Sequence, residues 1–223
     1  MNFGKLKKFF LNQLEANDII SKFIWDLKIH NKLWAGTWDL TSLVLKKTLD
    51  ENINVNSKVK NYLDIGCGQI ALLGQYVKKK NPNIKVTSTD LYKDVVDCAQ
   101  INIEKNNLNI NIFQSDLFEK IDEKFDLITF NPPYVSTLIK QNIPANSRRY
   151  TSRYSGLKGT EITEKFLIEA KNHLTSNGRI FLGINCFYIS ENICLELIKE
   201  YAYKFKNTIK IKFNTSTVFA IYL

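Results

Sequence analysis

The chain has 223 residues, 44% hydrophobic and 24% charged, a globular composition with enough length for one closed core. Its formal charge is +9, and no window approaches the roughly eighteen uncharged apolar residues of a membrane span. These values argue against a disordered, fibrous or membrane-spanning protein. Residues 1–55 are expected to form a helical extension, with Phe3, Leu6, Phe10 and Leu14 on one face and Ile20, Ile24 and Leu27 on a second stripe. Asn12, Gln13 and Glu15 interrupt the lysine-rich start before an apolar stretch develops, so no secretory signal is read and a cytoplasmic location is expected. The extension is expected to pack on the core as a lid; a partner-docking helix and a basic membrane-surface helix are the alternatives.

From residue 60 onward, short β-rich runs alternate with helical stretches. Strands are expected at 60–66, 84–90, 110–114, 125–130, 179–185, 208–213 and 217–223. Helices are expected at 70–80, 92–106, 161–174 and 189–203. This alternation predicts an α/β fold with a mostly parallel sheet covered on both faces. Only residues 214–216 separate the last two strands, which is hairpin spacing, so the sheet should end in an antiparallel pair. Residues 56–223 are expected to be one domain.

Charge is uneven: +4 over 1–60, −2 over 61–136 and +7 over 137–223. Lysine outnumbers arginine 27 to 4, which a coding bias could produce by itself, so the distribution carries more weight than the total. Basic flanks around a mildly acidic middle suit a central ligand and a larger acidic partner. Cys67, Cys98, Cys186 and Cys194 lie far apart, and His30 and His173 are the only histidines. Neither a disulfide framework nor a zinc site is expected.

The segment YLDIGCGQIALLG ends a strand, turns on Gly66 and Gly68 and opens a helix. Glycines there let the backbone approach a ligand, and the helix start offers free N–H groups. Asp64 lies in that strand, Asp90 closes the second and Asp116 follows the third. Any one of them could be a cap or a solvated strand end. Three at the carboxyl ends of adjacent parallel strands line one crevice, where Asp90 can accept ribose hydroxyls and Asp116 can meet an adenine amine. They favour a nucleoside with a cationic tail, which S-adenosylmethionine has.

The fourth strand runs into Asn131, Pro132, Pro133 and Tyr134. Two prolines fix the backbone and remove two N–H donors. Asn131 adds a side-chain acceptor and Tyr134 a flat ring, so the segment can hold a planar –NH₂ and restore lone-pair character to its nitrogen. Positioning then governs its attack on a methyl sulfonium.

These residues resemble the class I S-adenosylmethionine-dependent methyltransferases of the NPPY type, and among them the glutamine methyltransferases of translation release factors. The resemblance covers about residues 58–223 and implies a Rossmann-like fold. It implies cofactor contacts at Asp64, Gly66, Cys67, Gly68, Asp90, Leu91, Asp116, Leu117 and Asn131. It implies catalytic roles for Asn131, which binds the target amide, for Pro132 through its carbonyl and for Tyr134 packed beside them. Residues 154–166 look like the family's glycine-containing stretch before a helix, and Gly36, Thr37 and Trp38 lie where the family closes over the cofactor. Ile70 stands where the family usually has a third glycine, and the N-terminal extension is shorter than in the bacterial enzymes.

Substrate contacts are expected from Pro133, Tyr134, Arg148, Arg149 and Arg153, since residues 147–154 hold three of the four arginines and two tyrosines. Such a cluster could grip phosphates and bases or an acidic protein loop, or be a solvated loop. The favoured acceptor is a glutamine of a release factor or other translation protein. An adenine amine of RNA or DNA, a small molecule, and a scaffold that has lost catalysis are the alternatives. Cys67 is expected to be a packing residue, His173 to meet the carbonyls of its helix end, and lysines 78–80 to offset a helix dipole.

Overall fold

The structure is a computed structural model that describes residues 18–30, 32–33, 38–53, 57–139, 148–212 and 214–223, with Arg148 and Arg149 described by their backbone alone. Among the described residues, seven strands form one sheet: β1 (Asn61–Ile65), β2 (Lys85–Asp90), β3 (Asn111–Gln114), β4 (Phe125–Phe130), β5 (Leu174–Asn185), β6 (Lys204–Lys210) and β7 (Ser216–Tyr222). Their order is β3-β2-β1-β4-β5-β7-β6. β1 to β5 pair parallel, and β7 runs antiparallel to both β5 and β6. The expected Rossmann-like α/β sheet with its antiparallel C-terminal pair is therefore present.

The helices are α1 (Asp18–Trp25), α2 (Leu40–Asn52), α3 (Leu72–Lys80), α4 (Lys93–Lys105), α5 (Arg148–Thr151), α6 (Glu161–Ala170) and α7 (Glu191–Glu200). Alternate residues of the central strands feed two cores. Tyr62, Val86, Leu127, Phe181 and Val218 pack with Val44, Leu45, Leu49, Leu73, Val77 and Ala99 of α2, α3 and α4. Leu63, Ile128, Ile180, Leu182 and Phe219 pack on the other face with Phe166 and Leu167 of α6 and Ile198 of α7. Burial on both faces gives near-continuous apolar strands, as parallel sheets require.

Of the boundaries that differ from the sequence expectation, three have a plain physical cause. β5 starts at Leu174, ahead of the Asn177–Gly178 pair that looks like a turn, and a register shift against β4 absorbs the irregularity. A Cβ at Gly178 would lie 2.8 Å from the Phe125 carbonyl oxygen, so the strands approach closely only because glycine is there. β6 starts at Lys204, because the exposed KFKN half of the strand lacks an apolar face to betray it. The helix expected over 161–174 ends at Ala170 and gives way to a 3₁₀ turn, Lys171–His173.

Phe3, Leu6, Phe10 and Leu14 lie outside the described residues. Of the second stripe, Leu27 is buried and Ile20 and Ile24 are half-buried. Val44, Leu45 and Leu49 of α2 are fully buried against the sheet, each worth about 1.5–3 kcal/mol by area. Lysines 78–80 do more than offset the dipole of α3. Lys80 pairs with Asp50 of α2, Lys79 with Asp26 at 2.5 Å, and Lys78 donates to the carbonyls of Pro82 and Ile84 at 2.8 Å. His173 stacks on Phe118 at 4.5 Å, its Nδ1 3.3 Å from the Glu123 carbonyl, rather than on its own helix end. No described helix is long and apolar enough to cross a membrane.

Candidate active site

The strand order reverses between β1 and β4, and an open α/β sheet leaves a crevice beyond the carboxyl ends there. Four strands end in register: Ile65 beside Thr89 and Phe130, and Asp90 beside Gln114. Their next residues line a cavity of about 470 Å³ with Gly66, Gly68, Asp90, Leu91, Asp116, Leu117, Asn131 and Pro133 on its wall. Tyr150, Thr151, Ser152 and Tyr154 line the same cavity. Four residues of the segment expected at the substrate mouth, 147–154, thus reach the crevice itself.

Gly66 and Gly68 have φ of +62° and +68°, a conformation that side chains other than glycine rarely adopt. Ile70, in the place of a third glycine, is buried, and the left-handed step falls on Ala71 at φ +50° as the cap of α3. The turn forms without that glycine because Ala71 absorbs the chain reversal. Asp90 accepts from the N–H of Gly68 at 3.0 Å and of Tyr92 at 3.2 Å, which aims its carboxylate across the mouth of the turn. Burial raises its carboxyl above the usual range, while those two N–H groups oppose the shift.

Asp64 lies deeper. It is 2% exposed, accepts from Thr129 Oγ1 at 3.1 Å and from the Gly74 N–H at 3.2 Å, and does not line the cavity. Burial pushes its carboxyl up to about 7 against those two hydrogen bonds, and the charge of Asp90 adds to the rise. Cys67 is half-buried, and burial, then the charges of Asp90 and Asp64, raise its thiol well above the ordinary value, a poor setting for a nucleophile. Asp116 lines the cavity while Lys165 holds its other side at 2.9 Å.

The Asp64 shift has a testable consequence. Between the unfolded carboxyl near pH 4 and the folded value of about 7, the folded chain holds a proton that the unfolded chain has lost. Stability from this group is therefore lost as pH rises through that window and levels off above it. Asp64→Asn keeps the Gly74 acceptor and has no charge to bury. Its melting temperature should match wild type near pH 4 and exceed it at pH 8, by the equivalent of a few kcal/mol. A pH-independent difference between the two melts would mean that Asp64 is ionised in the fold.

Asn131 and Tyr134 are tied to α2. Asn131 Nδ2 donates to Asp39 Oδ2 at 3.1 Å and Oδ1 at 3.3 Å. Its Oδ1 is buried and accepts no hydrogen bond among the described residues. The Tyr134 hydroxyl lies 3.1 Å from Thr41 Oγ1, and its ring sits 6.0 Å from that of Tyr188. Burial, then the charge of Asp39, push the phenol well up. Tyr134 therefore backs the segment rather than lining the cavity. Pro132 is buried and Arg153 half-buried, and neither lines it.

The family model for the methyltransferase small domain matches residues 30–147. The chain belongs to this family of S-adenosylmethionine-dependent methyltransferases. It is 36% identical over 152 residues to a protein of Methanocaldococcus jannaschii named for protein N5-glutamine methyltransfer, covering 68% of this chain and 72% of that one. It is 31% identical over 151 residues to the release factor glutamine methyltransferase of Streptococcus pneumoniae, covering 66% and 51%. It is also 31% identical over 127 residues to the ribosomal RNA small subunit methyltransferase C of Haemophilus ducreyi, covering 57% and 33%. The chain thus spans about half of the streptococcal relative and a third of the Haemophilus one. A solved methyltransferase of Pyrococcus furiosus has the same fold, with a TM-score of 0.67, 24% identity and 96% of each chain covered.

The residues of this methyltransferase suit its cofactor. A Cβ on Gly68 would meet nothing within 4 Å, so the turn faces open space. The half-buried carboxylate of Asp90 can take a ribose diol, and Leu91, Val95, Leu117 and Ile162 give the cavity apolar walls for a base. Sequence reasoning missed Asp39 and Thr41 because each looks like an ordinary residue at a helix start. Only the fold brings them across 92 and 93 positions to Asn131 and Tyr134.

Proposed function

We propose that this methyltransferase acts on the side-chain amide nitrogen of glutamine in a release factor or another translation protein. The proposed organisation is an N-terminal helical extension, 1–55, and a catalytic domain, 56–223. The observation that carries the choice of substrate is the apolar mouth. Leu138 and Leu157 are 73% and 66% exposed and adjoin Thr137 and Gly156 of the cavity wall. Hydrogen bonds of 2.8 Å from Val135 N–H to the Arg153 carbonyl and from Thr137 N–H to the Gly156 carbonyl hold those two segments together. An exposed apolar rim suits a peptide loop and does nothing for a phosphate backbone. The names of the archaeal and streptococcal relatives support the same choice.

In this reading Gly66, Gly68, Asp90, Leu91, Asp116 and Leu117 hold the cofactor, with Asp64 and Cys67 beneath the turn. When bound, S-adenosylmethionine supplies a methyl group on a cationic sulfur. Asn131 Oδ1 and the Pro132 carbonyl accept the two hydrogens of the planar –NH₂. Drawing on both hydrogens would return the nitrogen lone pair from the amide system and leave it free to take a methyl group. The bound cofactor would supply the methyl group, and the proton the amide nitrogen gives up would pass to water at the cavity mouth. Tyr134, anchored through Thr41, and Pro133 keep the acceptor plane fixed, so positioning carries most of the rate.

A second reading, an adenine amine of RNA, draws on Tyr150 and Tyr154, stacked at 4.1 Å, beside the arginines, and on the name of the Haemophilus relative. Tritiated S-adenosylmethionine with a purified release factor in one tube and protein-free ribosomal RNA in another separates the two. Label in the release factor, lost in Asn131→Ala, is expected; label in the RNA alone would reassign the substrate. The arginines give a second test. Replacing Arg148, Arg149 and Arg153 by Ala should raise the KM for the protein acceptor and move the log–log salt slope by less than about one. A slope that falls by about two or more would mean released phosphate counterions and a nucleic-acid acceptor.

A further inference from the structure

We infer that Asp39 is a positioning residue that sets which end of the Asn131 amide faces the acceptor nitrogen; the inference rests on the reading of Asn131 given above. Both oxygens of Asp39 lie within hydrogen-bond reach of Asn131 Nδ2, at 3.1 and 3.3 Å. A carboxylate offers only acceptors. A flipped amide would set Asn131 Oδ1 against two carboxylate oxygens with no proton between them, so the –NH₂ end must face Asp39. The opposite end, Oδ1, is then held as the remaining acceptor, and it is the atom that is buried without a partner among the described residues. The charge behind the amide also polarises it and makes Oδ1 a stronger acceptor.

Asp39 is itself fixed. It caps α2 in extended backbone, φ −128° and ψ 174°, with Oδ1 accepting from Ser42 N–H at 2.8 Å and Ser42 Oγ at 3.1 Å. Two residues on, Thr41 is 1% exposed and joins the Tyr134 hydroxyl at 3.1 Å to Ser216 Oγ at 2.9 Å. The first turn of α2 therefore grips two members of the NPPY segment, and β7 braces it from behind. A helix cap alone has no need of a carboxylate, since Asn and Ser cap as well as Asp.

That equivalence supplies the experiment. Asp39→Asn and Asp39→Ser both keep the cap, but Ser is too short to reach Asn131, and Asn can accept from it or donate to it. A purely capping role predicts three equal enzymes. The inference predicts a graded fall in kcat: about 2- to 10-fold for Asp39→Asn, where flipped amides compete, and about 10- to 100-fold for Asp39→Ser. Affinity for S-adenosylhomocysteine should stay within about threefold by calorimetry. The acceptor is extract from cells lacking the enzyme, with tritiated S-adenosylmethionine, and Asn131→Ala runs beside the series. The side-chain ¹H–¹⁵N amide signals of Asn131, which need no acceptor, should lose their hydrogen-bonded shift in Asp39→Ser. Wild-type kcat or an unmoved amide signal in Asp39→Ser, with Asn131→Ala inactive, overturns the role of Asp39 alone. Full turnover by Asn131→Ala overturns the reading of Asn131 itself, and this inference with it.

Discussion

Asn131→Ala should lower methyl transfer by about a hundredfold or more while leaving cofactor affinity within a few fold. The size follows from what the amide does. Its Oδ1, at the end of β4, accepts no hydrogen bond among the described residues, and the acceptor nitrogen needs that contact most when its lone pair has left the amide system. An interaction strengthened only then lowers kcat rather than binding. Truncation also strands the Asp39 carboxylate, which keeps Ser42 as its partner. The fold should therefore survive, and a melting curve separates lost chemistry from lost structure. Single-turnover rates at saturating cofactor are the measurement, and a rate within threefold of wild type would remove Asn131 from the chemistry. Asn131→Asp is the sharper companion. It places a second carboxylate against Asp39 at the 3.1 Å contact and removes the donor that binds the two, so it too should be inactive despite keeping an acceptor oxygen.

The sheet was legible because its strands are buried on both faces, so apolar runs such as FDLITF stand out between helices of different period. The ends of the first four strands were legible because glycines, acids and a diproline are poor choices for a strand interior and interrupt it visibly. Legibility failed where a segment lacks that contrast. The KFKN half of β6 is exposed and alternates nothing, and the NG pair inside β5 imitates a turn. It failed again where the relevant fact is a pairing across the chain. Asp39 in sequence is one more acid before a helix, and only the packing of α2 against β5 and β7 carries it to Asn131. Lysines 78–80 are the same case: a basic helix end in sequence, but in the fold a set of ties from α3 to Asp26 and Asp50. Residues at strand ends announce themselves by chemistry, whereas residues that brace them do so only by contact.

Asp90→Ala should weaken binding of S-adenosylmethionine by two to four orders of magnitude and lower turnover at saturating cofactor by less than tenfold. Two hydroxyl bonds to a carboxylate are worth about 1.5–3 kcal/mol each, and 1.4 kcal/mol is a tenfold change in affinity. The acid is aimed before the ligand arrives, since the N–H groups of Gly68 and Tyr92 hold one oxygen each. Little ordering cost then remains on binding. Asp90→Asn separates the contributions: it can keep one backbone bond and one ribose acceptor, so its loss should be near tenfold. The sign of the pH effect follows from burial, which raises the Asp90 carboxyl above the ordinary range. The ionised form accepts both hydroxyls and the protonated form does not, so affinity should fall as pH drops through the raised value and level off above it. Calorimetric titration of wild type with S-adenosylhomocysteine at stepped pH, beside both variants, reads all three effects. The slope should vanish in Asp90→Asn, which has no proton to gain, and a slope that persisted there would belong to another carboxyl, with Asp64, buried beneath the turn and raised to about 7, next in line.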